Sequence, residues 1–398
     1  AYKVCWETGS GGSCFNSDSV AAIDQAVADG VDVINFSISG SRTSFRDAVE
    51  IAFLYAADAG VFVAASAGNS GPTSSTVAHP GPWLTTVAAG THNRDGAGSA
   101  TLGNGATYSG ASLASPVGPA PLIDSTAAGL PGADPTAVAL CYAAEDNGGV
   151  PVLDPTLVAG KIVVCDRGVT ARVNKSLAVQ EAGGVGMILV NTSPSSLNPD
   201  LHSVPTVHLQ STDRAAVKAY AATAGATATV NQGSVVLTAA APFTASFSSR
   251  GPLLAGNGDL LKPDLIAPGQ DVLAAVAPPG NAGSSFALYS GTSMSSPHVA
   301  GLAALFKEIH PGWSPMMIKS ALMTTGSDVL DGGTPAPNTN PVLIFRQGAG
   351  HVQPNIALDP GLVYDTSFSD WLSFLCGAQP GGGCTGVTPL DPSDLNQA

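Results

Sequence analysis

Residues 289–311 read YSGTSMSSPHVAGLAALFKEIHP, and this stretch decides the fold. A small polar loop around Ser293 leads into Pro297, after which apolar residues recur at helical spacing as far as Ile309. Proline is tolerated in the first turn of a helix, so the pattern predicts a buried helix with Pro297 in that turn. Ser293 would then lie at or just before the helix start, where unpaired N–H groups and the helix dipole favour a developing negative charge. Ser293 is therefore a candidate nucleophile for acyl transfer.

The short Gly-x-Ser motif alone also fits an ordinary loop with a Ser or Thr helix cap, and by itself it favours that interpretation. The full run at 291–301, GTSMSSPHVAG, reverses the preference, since its eleven consecutive positions match one family. It resembles the nucleophile segment of the subtilisin-like serine proteases, the subtilase family. Ser295 stands where the Gly-x-Ser-x-Gly elbow of α/β-hydrolases requires a glycine, so that fold does not fit. The resemblance implies a serine endopeptidase with Ser293 as its nucleophile.

Composition excludes several classes of function. The chain has 398 residues, enough for two or three domains, and only 11% of them are charged. Its net charge is −14, which argues against a nucleic-acid partner and suits a secreted enzyme, although an acidic cytosolic protein fits equally well. No apolar run approaches the ~18 residues of a membrane span, so we expect no membrane partner.

The six cysteines fall into three pairs of sequence neighbours: Cys5 with Cys14, Cys141 with Cys165, and Cys376 with Cys384. No Cys-x-x-Cys motif occurs, so zinc binding and thioredoxin-like redox chemistry have little support. An even count with loop-rich separations suggests disulfides and an oxidising compartment, hence a secreted protein. The connectivity does not follow from the sequence, and six buried free thiols are the alternative.

The first third of the chain alternates between helical and strand patterns. Apolar, β-branched runs at 31–38 and 61–65 predict strands buried on both faces, each preceded by a helix. This alternation predicts an α/β fold, a parallel sheet flanked by helices. Ligands of such sheets bind beyond the carboxyl ends of the strands, which draws attention to the loops at 37–40 and 66–71.

The second of these loops contains an asparagine among glycines, which is usually a turn residue. The sequence Ala-Gly-Asn-Ser-Gly at 67–71, however, resembles the subtilase segment that supplies the side-chain donor of the oxyanion hole. The resemblance gives that role to Asn69. Its amide would act together with the backbone N–H of Ser293.

The same resemblance assigns substrate contacts. Residues 37–40, which we call the substrate-pairing segment, would pair with an extended substrate as an added strand; they are Ser37, Ile38, Ser39 and Gly40. Ala67 and Gly68 would line an open pocket for the side chain before the scissile bond, with an apolar side chain as the default expectation. The family usually has glycine where Ser39 stands, so the fit beside that pocket departs from the family pattern.

The resemblance pauses after Pro116 and resumes at Phe247 with the sequence FSSRGP. Strand-like runs in between resemble a protease-associated domain, a β-rich module inserted in larger subtilases that serves substrate access, specificity or self-association. After the catalytic domain, the tail would begin a C-terminal β-sandwich. The predicted organisation is therefore 1–117 (catalytic domain, first part), 118–241 (insert), 242–368 (catalytic domain, second part) and 369–398 (start of the β-sandwich).

A serine nucleophile needs a base within hydrogen-bond reach, oriented by a carboxylate. His298 follows Ser293 by five residues on the predicted helix, so it is rotated by about 140° and cannot approach the hydroxyl. None of the other six histidines stands in a His-Gly-Thr-His-like setting. We interpret His79, in a Pro/Gly turn, as structural, and His202 and His208 as surface residues.

Subtilases carry their triad in the order Asp, His, Ser. The family segment that resembles residues 1–4, AYKV, follows the catalytic His, so we expect the base and its Asp upstream of residue 1. This chain alone is then expected to be inactive. No cofactor is expected; subtilases often bind structural calcium, but no Asp/Asn cluster identifies ligands here. A non-catalytic relative that binds peptides, and an esterase, are the alternatives.

Overall fold

The computed structural model describes residues 1–8, 11–277, 284–330, 340 and 342–395. The chain folds as two compact units, each formed by separate stretches of sequence. Unit 1 takes the described residues of Ala1–His92, Ala240–Gln270 and Ser290–Ala398, and unit 2 those of Asn93–Ala239 and Asp271–Tyr289.

The strands, in chain order, are β1 (Cys5–Thr8), β2 (Gly11–Cys14), β3 (Val33–Phe36), β4 (Phe62–Ser66), β5 (Thr85–Gly90), β6 (Asp95–Leu102), β7 (Thr107–Gly110), β8 (Val117–Asp124), β9 (Ile162–Asp166), β10 (Gly186–Val190), β11 (Thr206–Leu209), β12 (Thr227–Val230), β13 (Ser234–Val236), β14 (Leu265–Pro268), β15 (Val272–Ala275) and β16 (Phe286–Tyr289). The α-helices are α1 (Asn16–Ala28), α2 (Ala48–Asp58), α3 (Pro135–Ala139), α4 (Pro155–Val158), α5 (Arg172–Glu181), α6 (Ser211–Ala221), α7 (Thr292–Ile309), α8 (Pro315–Thr324), α9 (Ile344–Gln347), α10 (Pro354–Ala357) and α11 (Phe368–Ala378). Short 3-10 helices occur at Ser125–Ala127, Ala144–Asn147, Ala255–Gly258 and Pro392–Leu395.

The centre of unit 1 is a four-stranded parallel sheet in the order β14-β5-β4-β3. Successive residues of β4 belong to different apolar clusters, because side chains along a strand alternate between the two faces. Val63 and Ala65 pack with residues of α1 and α2, whereas Phe62 and Ala64 pack with residues of α7 and α8. Helices therefore cover both faces, and the predicted α/β fold is confirmed.

The helix that contains the candidate nucleophile begins earlier than predicted. α7 begins at Thr292, with Gly291 as its N-cap, so Pro297 lies in the second turn and not the first. Proline has no N–H, so the carbonyl of Ser293 lacks the donor that residue i+4 usually provides. The hydroxyl of Ser37 donates to that carbonyl at 2.9 Å. A side chain distant in sequence thus replaces the hydrogen bond that Pro297 removes.

Unit 2 is built on one eight-stranded sheet. Strands β8 to β11 form a parallel part in the order β11-β10-β9-β8, which continues into an antiparallel part through β12, β6 and β13, with β7 on β6. The α5 residues pack on one face of the parallel part and the α6 residues on the other. Because β6 belongs to this sheet, unit 2 includes residues 93–117, which the sequence prediction placed in the catalytic domain. Unit 2 also includes the β15–β16 hairpin, which the same prediction placed in the catalytic domain.

The sequence predicts that His202 and His208 are surface residues, but His208 is fully buried and His202 is half-buried. His208 lies on β11 with 0% of its surface exposed. Its Nε2 bonds to Oδ1 of Asn191 at 2.8 Å, and its Nδ1 accepts from the N–H of Asn198 at 3.1 Å. His202 is half-buried, and its Nδ1 lies 3.0 Å from the hydroxyl of Ser176. The polar partners of His208 come from loops and that of His202 from α5, and the strand pattern revealed neither.

Acid should destabilise unit 2 through His208. Because Nδ1 accepts a hydrogen bond, the ring is neutral, and burial lowers the pKa of His208 to about 3 from its ordinary 6.5. The unfolded state therefore binds a proton that the folded state does not, so this contribution to stability is intact above pH 6.5 and is lost as the pH falls towards 3. We expect a loss of about 1.4 kcal/mol per pH unit below 6.5.

The measurement is hydrogen exchange of β10 and β11 peptides at pH 7 and pH 5, with rates corrected for the intrinsic effect of pH. His208→Gln, which does not titrate, should show less acid-induced loss of protection than the wild type. Equal acid-induced losses of protection in His208→Gln and the wild type would contradict the attribution of this acid sensitivity to His208.

The tail departs from the predicted β-sandwich. Among the described residues 369–395 there is no strand, and α11 occupies Phe368–Ala378; residues 396–398 lie outside the described part. Trp371, Phe374 and Leu375 of α11 belong to the main apolar cluster of unit 1. Their spacing of three and four residues is helical, which explains why this segment forms a core helix and not the first strand of another domain.

The six cysteines form three disulfides in the structure, in the neighbouring pairs seen in the sequence: Cys5–Cys14, Cys141–Cys165 and Cys376–Cys384. None of the helices in the described residues combines the length and apolar character that crossing a membrane requires.

Candidate active site

Ser293 lies in the first turn of α7, next to the chain that leaves β3. Its hydroxyl donates a hydrogen bond to the carbonyl of Ser37 at 3.2 Å. In return, the Ser37 hydroxyl donates to the Ser293 carbonyl at 2.9 Å. This reciprocal pair joins the start of α7 to the carboxyl end of a parallel strand, which is where ligand sites of such sheets form.

Asn69 follows β4 and contacts the residue before Ser293. Its Oδ1 accepts from the backbone N–H of Thr292 at 2.9 Å and from the Thr292 hydroxyl at 3.0 Å. The Thr292 hydroxyl in turn accepts from the N–H of Gly68 at 3.2 Å. Because Gly291 has no side chain to cap α7, Asn69 supplies that cap from another loop. With Oδ1 occupied by donors, the amide N–H₂ of the exposed Asn69 points away from Thr292.

Nδ2 of Asn69 and the backbone nitrogen of Ser293 border one small volume. The position that a Cβ on Gly291 would take lies 3.4 Å from Nδ2 of Asn69 and 3.6 Å from the backbone nitrogen of Ser293. A side chain at residue 291 would therefore occupy this space, and glycine leaves it open. The N–H of Met294 is already bonded to the Gly291 carbonyl, whereas that of Ser293 has no acceptor in the described part of the chain. Two such donors can stabilise an oxyanion.

The substrate-pairing segment lies beside this volume. β3 ends at Phe36, so Ser37, Ile38, Ser39 and Gly40 continue beyond the sheet. The carbonyl of Ser37 faces the Ser293 hydroxyl, and the carbonyl of Ile38 faces Nε2 of His79 at 2.8 Å. Ser39 is exposed, and Gly40 is half-buried.

Ala67 and Gly68, the predicted pocket residues, lie in the segment that continues β4. Ala67 has 0% exposure and belongs to the main apolar cluster, because its N–H donates to Val87 and its carbonyl accepts from Ala78, continuing the sheet beyond β4. Gly68 is buried as well, and a Cβ there would lie 2.9 Å from the hydroxyl of Ser249. A small residue at position 68 thus allows the close approach of Ser249, and the pocket at Ala67 and Gly68 stays a prediction.

Ser293 has no base in the described structure. All seven histidines lie in described residues, and none hydrogen-bonds to Ser293. Nδ1 of His298 bonds to the carbonyl of Met294 at 2.7 Å on its own helix, as its position on the helix predicted. No carboxylate of the described residues bonds to the Ser293 hydroxyl either. In the same residues, no group of three or more His, Cys, Asp or Glu side chains is arranged to hold a metal ion.

Three side chains of this site were missed by sequence reasoning. Thr292 links Asn69 to Gly68, and its place beside Ser293 in the quoted motif was an available signal. The hydroxyl of Ser37 offered none, because its partner is 256 residues away. Glu50 did offer one: it is an acidic residue between apolar neighbours in α2, and it is fully buried against His79.

Comparison with known proteins gives one consistent family. A profile described as "Subtilase family" matches residues 1–350. The Arabidopsis thaliana subtilisin-like proteases SBT1.7, SBT1.5 and SBT5.3 are 44%, 42% and 42% identical, each over 94% of this chain and 50% of the relative. The chain thus spans about half the length of the curated relatives it matches. The match to the solved psychrophilic subtilisin-like protease Apa1, from an Antarctic Pseudoalteromonas, covers 85% of this chain and 72% of that chain at 18% identity. Its TM-score is 0.35, which is too low to support an argument about this chain.

Proposed function

The chain belongs to the subtilase family, and we propose that the full-length protein, meaning this chain with the residues expected upstream of Ala1, is a serine endopeptidase. Its nucleophile is Ser293, and Asn69 is the side-chain donor of its oxyanion hole. One observation carries the proposal: Nδ2 of Asn69 and the backbone nitrogen of Ser293 lie within 3.6 Å of one point, the position that a Cβ on Gly291 would take.

The chemistry follows from that geometry. The Ser293 oxygen attacks the scissile carbonyl and gives its proton to a histidine base, while the carbonyl oxygen becomes an oxyanion held by the two N–H donors. The intermediate collapses to an acyl-enzyme, and the base returns the proton to the leaving amine. Water, deprotonated by the same base, then attacks the acyl carbon; the bond to the Ser293 oxygen breaks, and the base returns the proton to that oxygen. In this structure the Ser293 proton is donated to the Ser37 carbonyl, so the hydroxyl must turn to meet a base.

The base and its orienting Asp belong, in this proposal, to residues upstream of Ala1. The 398-residue chain alone should therefore show negligible turnover of a chromogenic peptide, and the full-length protein should cleave it. An active-site fluorophosphonate should label Ser293 of the full-length protein, as located by mass spectrometry. Clear turnover by the chain alone that is lost in Ser293→Ala would contradict the placement of the base.

A non-catalytic relative that binds peptides is the second candidate, because no histidine of the chain bonds to Ser293. The same assay separates the two. Peptide binding by the full-length protein, with neither turnover nor labelling at Ser293, would favour the binding protein.

Further assignments extend the proposal. An extracellular location is supported by the three disulfides, which persist in oxidising compartments. The substrate is a protein or peptide. We assign unit 2, which extends the predicted insert of 118–241 to residues 93–239 and 271–289, to a protease-associated module that is a candidate for self-association. The catalytic domain of this proposal is unit 1. A structural calcium ion would be compatible with the family, and we assign no residues of this chain as its ligands.

A further inference from the structure

His79 is a buried residue that the mechanism above does not use. Its ring has no exposed surface and contacts two groups: Nε2 lies 2.8 Å from the carbonyl oxygen of Ile38, and Nδ1 lies 2.7 Å from Oε1 of Glu50. A carbonyl oxygen can only accept, so Nε2 carries a proton and donates it to Ile38. A second proton is shared between Nδ1 and the Glu50 carboxyl group. The ring therefore connects α2 to the backbone of the substrate-pairing segment.

Glu50 holds this ring from a fixed position. Its side chain is fully buried, and its second oxygen accepts from the N–H of Gly81 at 3.1 Å. Its backbone carbonyl accepts from the indole N–H of Trp83 at 2.8 Å. Buried polar networks in which each group is bonded are rigid, and leaving one member unpaired is costly. Glu50 therefore orients the His79 ring before any substrate binds.

The backbone of His79 supports the same segment. Its N–H donates to the carbonyl of Ser41 at 3.0 Å, and its φ of 57° lies in the left-handed region that non-glycine residues seldom adopt. Such conformations persist only where the surroundings impose them, and they concentrate at functional sites. A Cβ on Gly40 would lie 2.3 Å from Cε1 of the His79 ring, so this glycine lets the ring approach. Ring and backbone together contact the segment from Ile38 to Ser41.

The contact with Ile38 decides which way the next peptide faces. In a trans peptide the C=O and N–H groups point in opposite directions, and the Ile38–Ser39 bond is trans. With the Ile38 carbonyl directed at His79, the N–H of Ser39 points to the other side. The preceding carbonyl, of Ser37, faces the Ser293 hydroxyl. The segment thus presents an acceptor and then a donor along the edge away from His79, which is the pattern that pairs with an extended peptide.

We propose that His79 is a positioning residue for substrate binding: held by Glu50, it fixes the Ile38–Ser39 peptide so that Ser39 N–H is ready to bind the substrate backbone. The inference rests on the proposed endopeptidase function. His79 touches neither Ser293 nor the scissile bond in this arrangement, so it acts through Ile38. Its effect should appear only with substrates long enough to reach Ser39.

The test compares two chromogenic substrates of the full-length protein, an acetylated single residue and an acetylated tetrapeptide with the same last residue. In the wild type the longer peptide should have the higher kcat/KM. His79→Phe, which keeps a ring and removes the donor, should reduce the ratio of the two kcat/KM values about tenfold, chiefly through KM of the tetrapeptide. The kcat/KM of the short substrate should stay unchanged.

Two variants serve as controls. His79→Gln places an amide N–H near the position of Nε2 and should restore most of the ratio. Trp83→Phe removes a hydrogen bond to the Glu50 backbone carbonyl and leaves the Glu50 carboxylate bonded to His79 and Gly81, so it should lower thermal stability but not the ratio. An unchanged ratio in His79→Phe, with both substrates still cleaved, overturns this inference alone. A full-length protein that cleaves neither substrate overturns the proposed function and this inference with it.

A measurement on the unmodified chain covers the case in which His79→Phe does not fold. With ¹⁵N-labelled histidine, the Nε2–H of His79 should give a resonance that exchanges slowly with water, since it is buried and bonded to Ile38. In a second, uniformly ¹⁵N-labelled sample, adding the tetrapeptide should shift the Ser39 amide resonance. An Nε2 without a protected proton would overturn the inference.

Discussion

Ser293→Ala is expected to abolish hydrolysis by the full-length protein. The substitution removes the oxygen that forms the acyl-enzyme, and in subtilisin, a member of the same family, losing the nucleophile costs about 10⁶ in turnover. The expected loss here is of that order, measured as kcat with the acetylated tetrapeptide. The variant should remain folded, because it gives up a single hydrogen bond, from the Ser293 hydroxyl to Ser37.

Ser295→Ala is the matched control. Ser295 lies two residues further along the same helix, its hydroxyl is buried, and that oxygen has no hydrogen-bond partner among the residues that the structure describes. Removing it should leave turnover within a factor of about two, as a substitution that breaks no bond. Equal losses in the two variants would show that the helix start and not the Ser293 hydroxyl is essential, which would contradict the assignment of the nucleophile.

Asn69 should show the second largest effect, through two separable roles. Its Nδ2 approaches the oxyanion volume, while its Oδ1 caps α7 by accepting from the backbone and hydroxyl of Thr292. Asn69→Ala removes both. We expect turnover to fall to the extent known for this donor in subtilisin, about 10²–10³, and stability to fall by about 1 kcal/mol from loss of the cap.

Asn69→Asp separates the two roles. The carboxylate keeps the acceptor for Thr292 and, as an anion at a helix N-terminus, should preserve or raise the melting temperature. It replaces the donor with a negative charge next to the developing oxyanion, so turnover should fall at least as far as in Asn69→Ala. Both quantities are measured on the same preparations. Wild-type turnover in Asn69→Asp would contradict the donor role, and a loss of stability equal to that of Asn69→Ala would contradict the cap.

The part of the fold that the sequence predicted depends on repetitive local patterns. The buried runs around Val63 predicted parallel strands with helices on both faces, and that sheet alone brings the ends of β3 and β4 to one edge. Knowing which edge carries ligands singled out the loops at 37–40 and 66–71. The joint role of Asn69 and Ser293 came from the family resemblance and not from the sheet geometry.

The features of the fold and the site that the sequence did not predict depend on contacts between residues that are distant in the chain. The start of α7 was misplaced because the Ser37 hydroxyl compensates for Pro297, an arrangement no local pattern contains. The burial of His208 depends on the loop residue Asn191, and the close packing of Ala67 depends on its bonds to neighbouring chain. His79 was recognised as structural, but its bond to Ile38 spans 41 residues and needed coordinates.

The central claim is that the Ser293 N–H and the Asn69 amide bind the same substrate oxygen. The most direct test is a crystal structure of the full-length protein with a peptide aldehyde, which a serine nucleophile converts to a tetrahedral hemiacetal. Our account predicts a covalent bond to the Ser293 oxygen, with the former aldehyde oxygen about 2.7–3.1 Å from both Nδ2 of Asn69 and the backbone nitrogen of Ser293. An adduct whose oxygen points away from Asn69, or a peptide bound without a bond to Ser293, would contradict it.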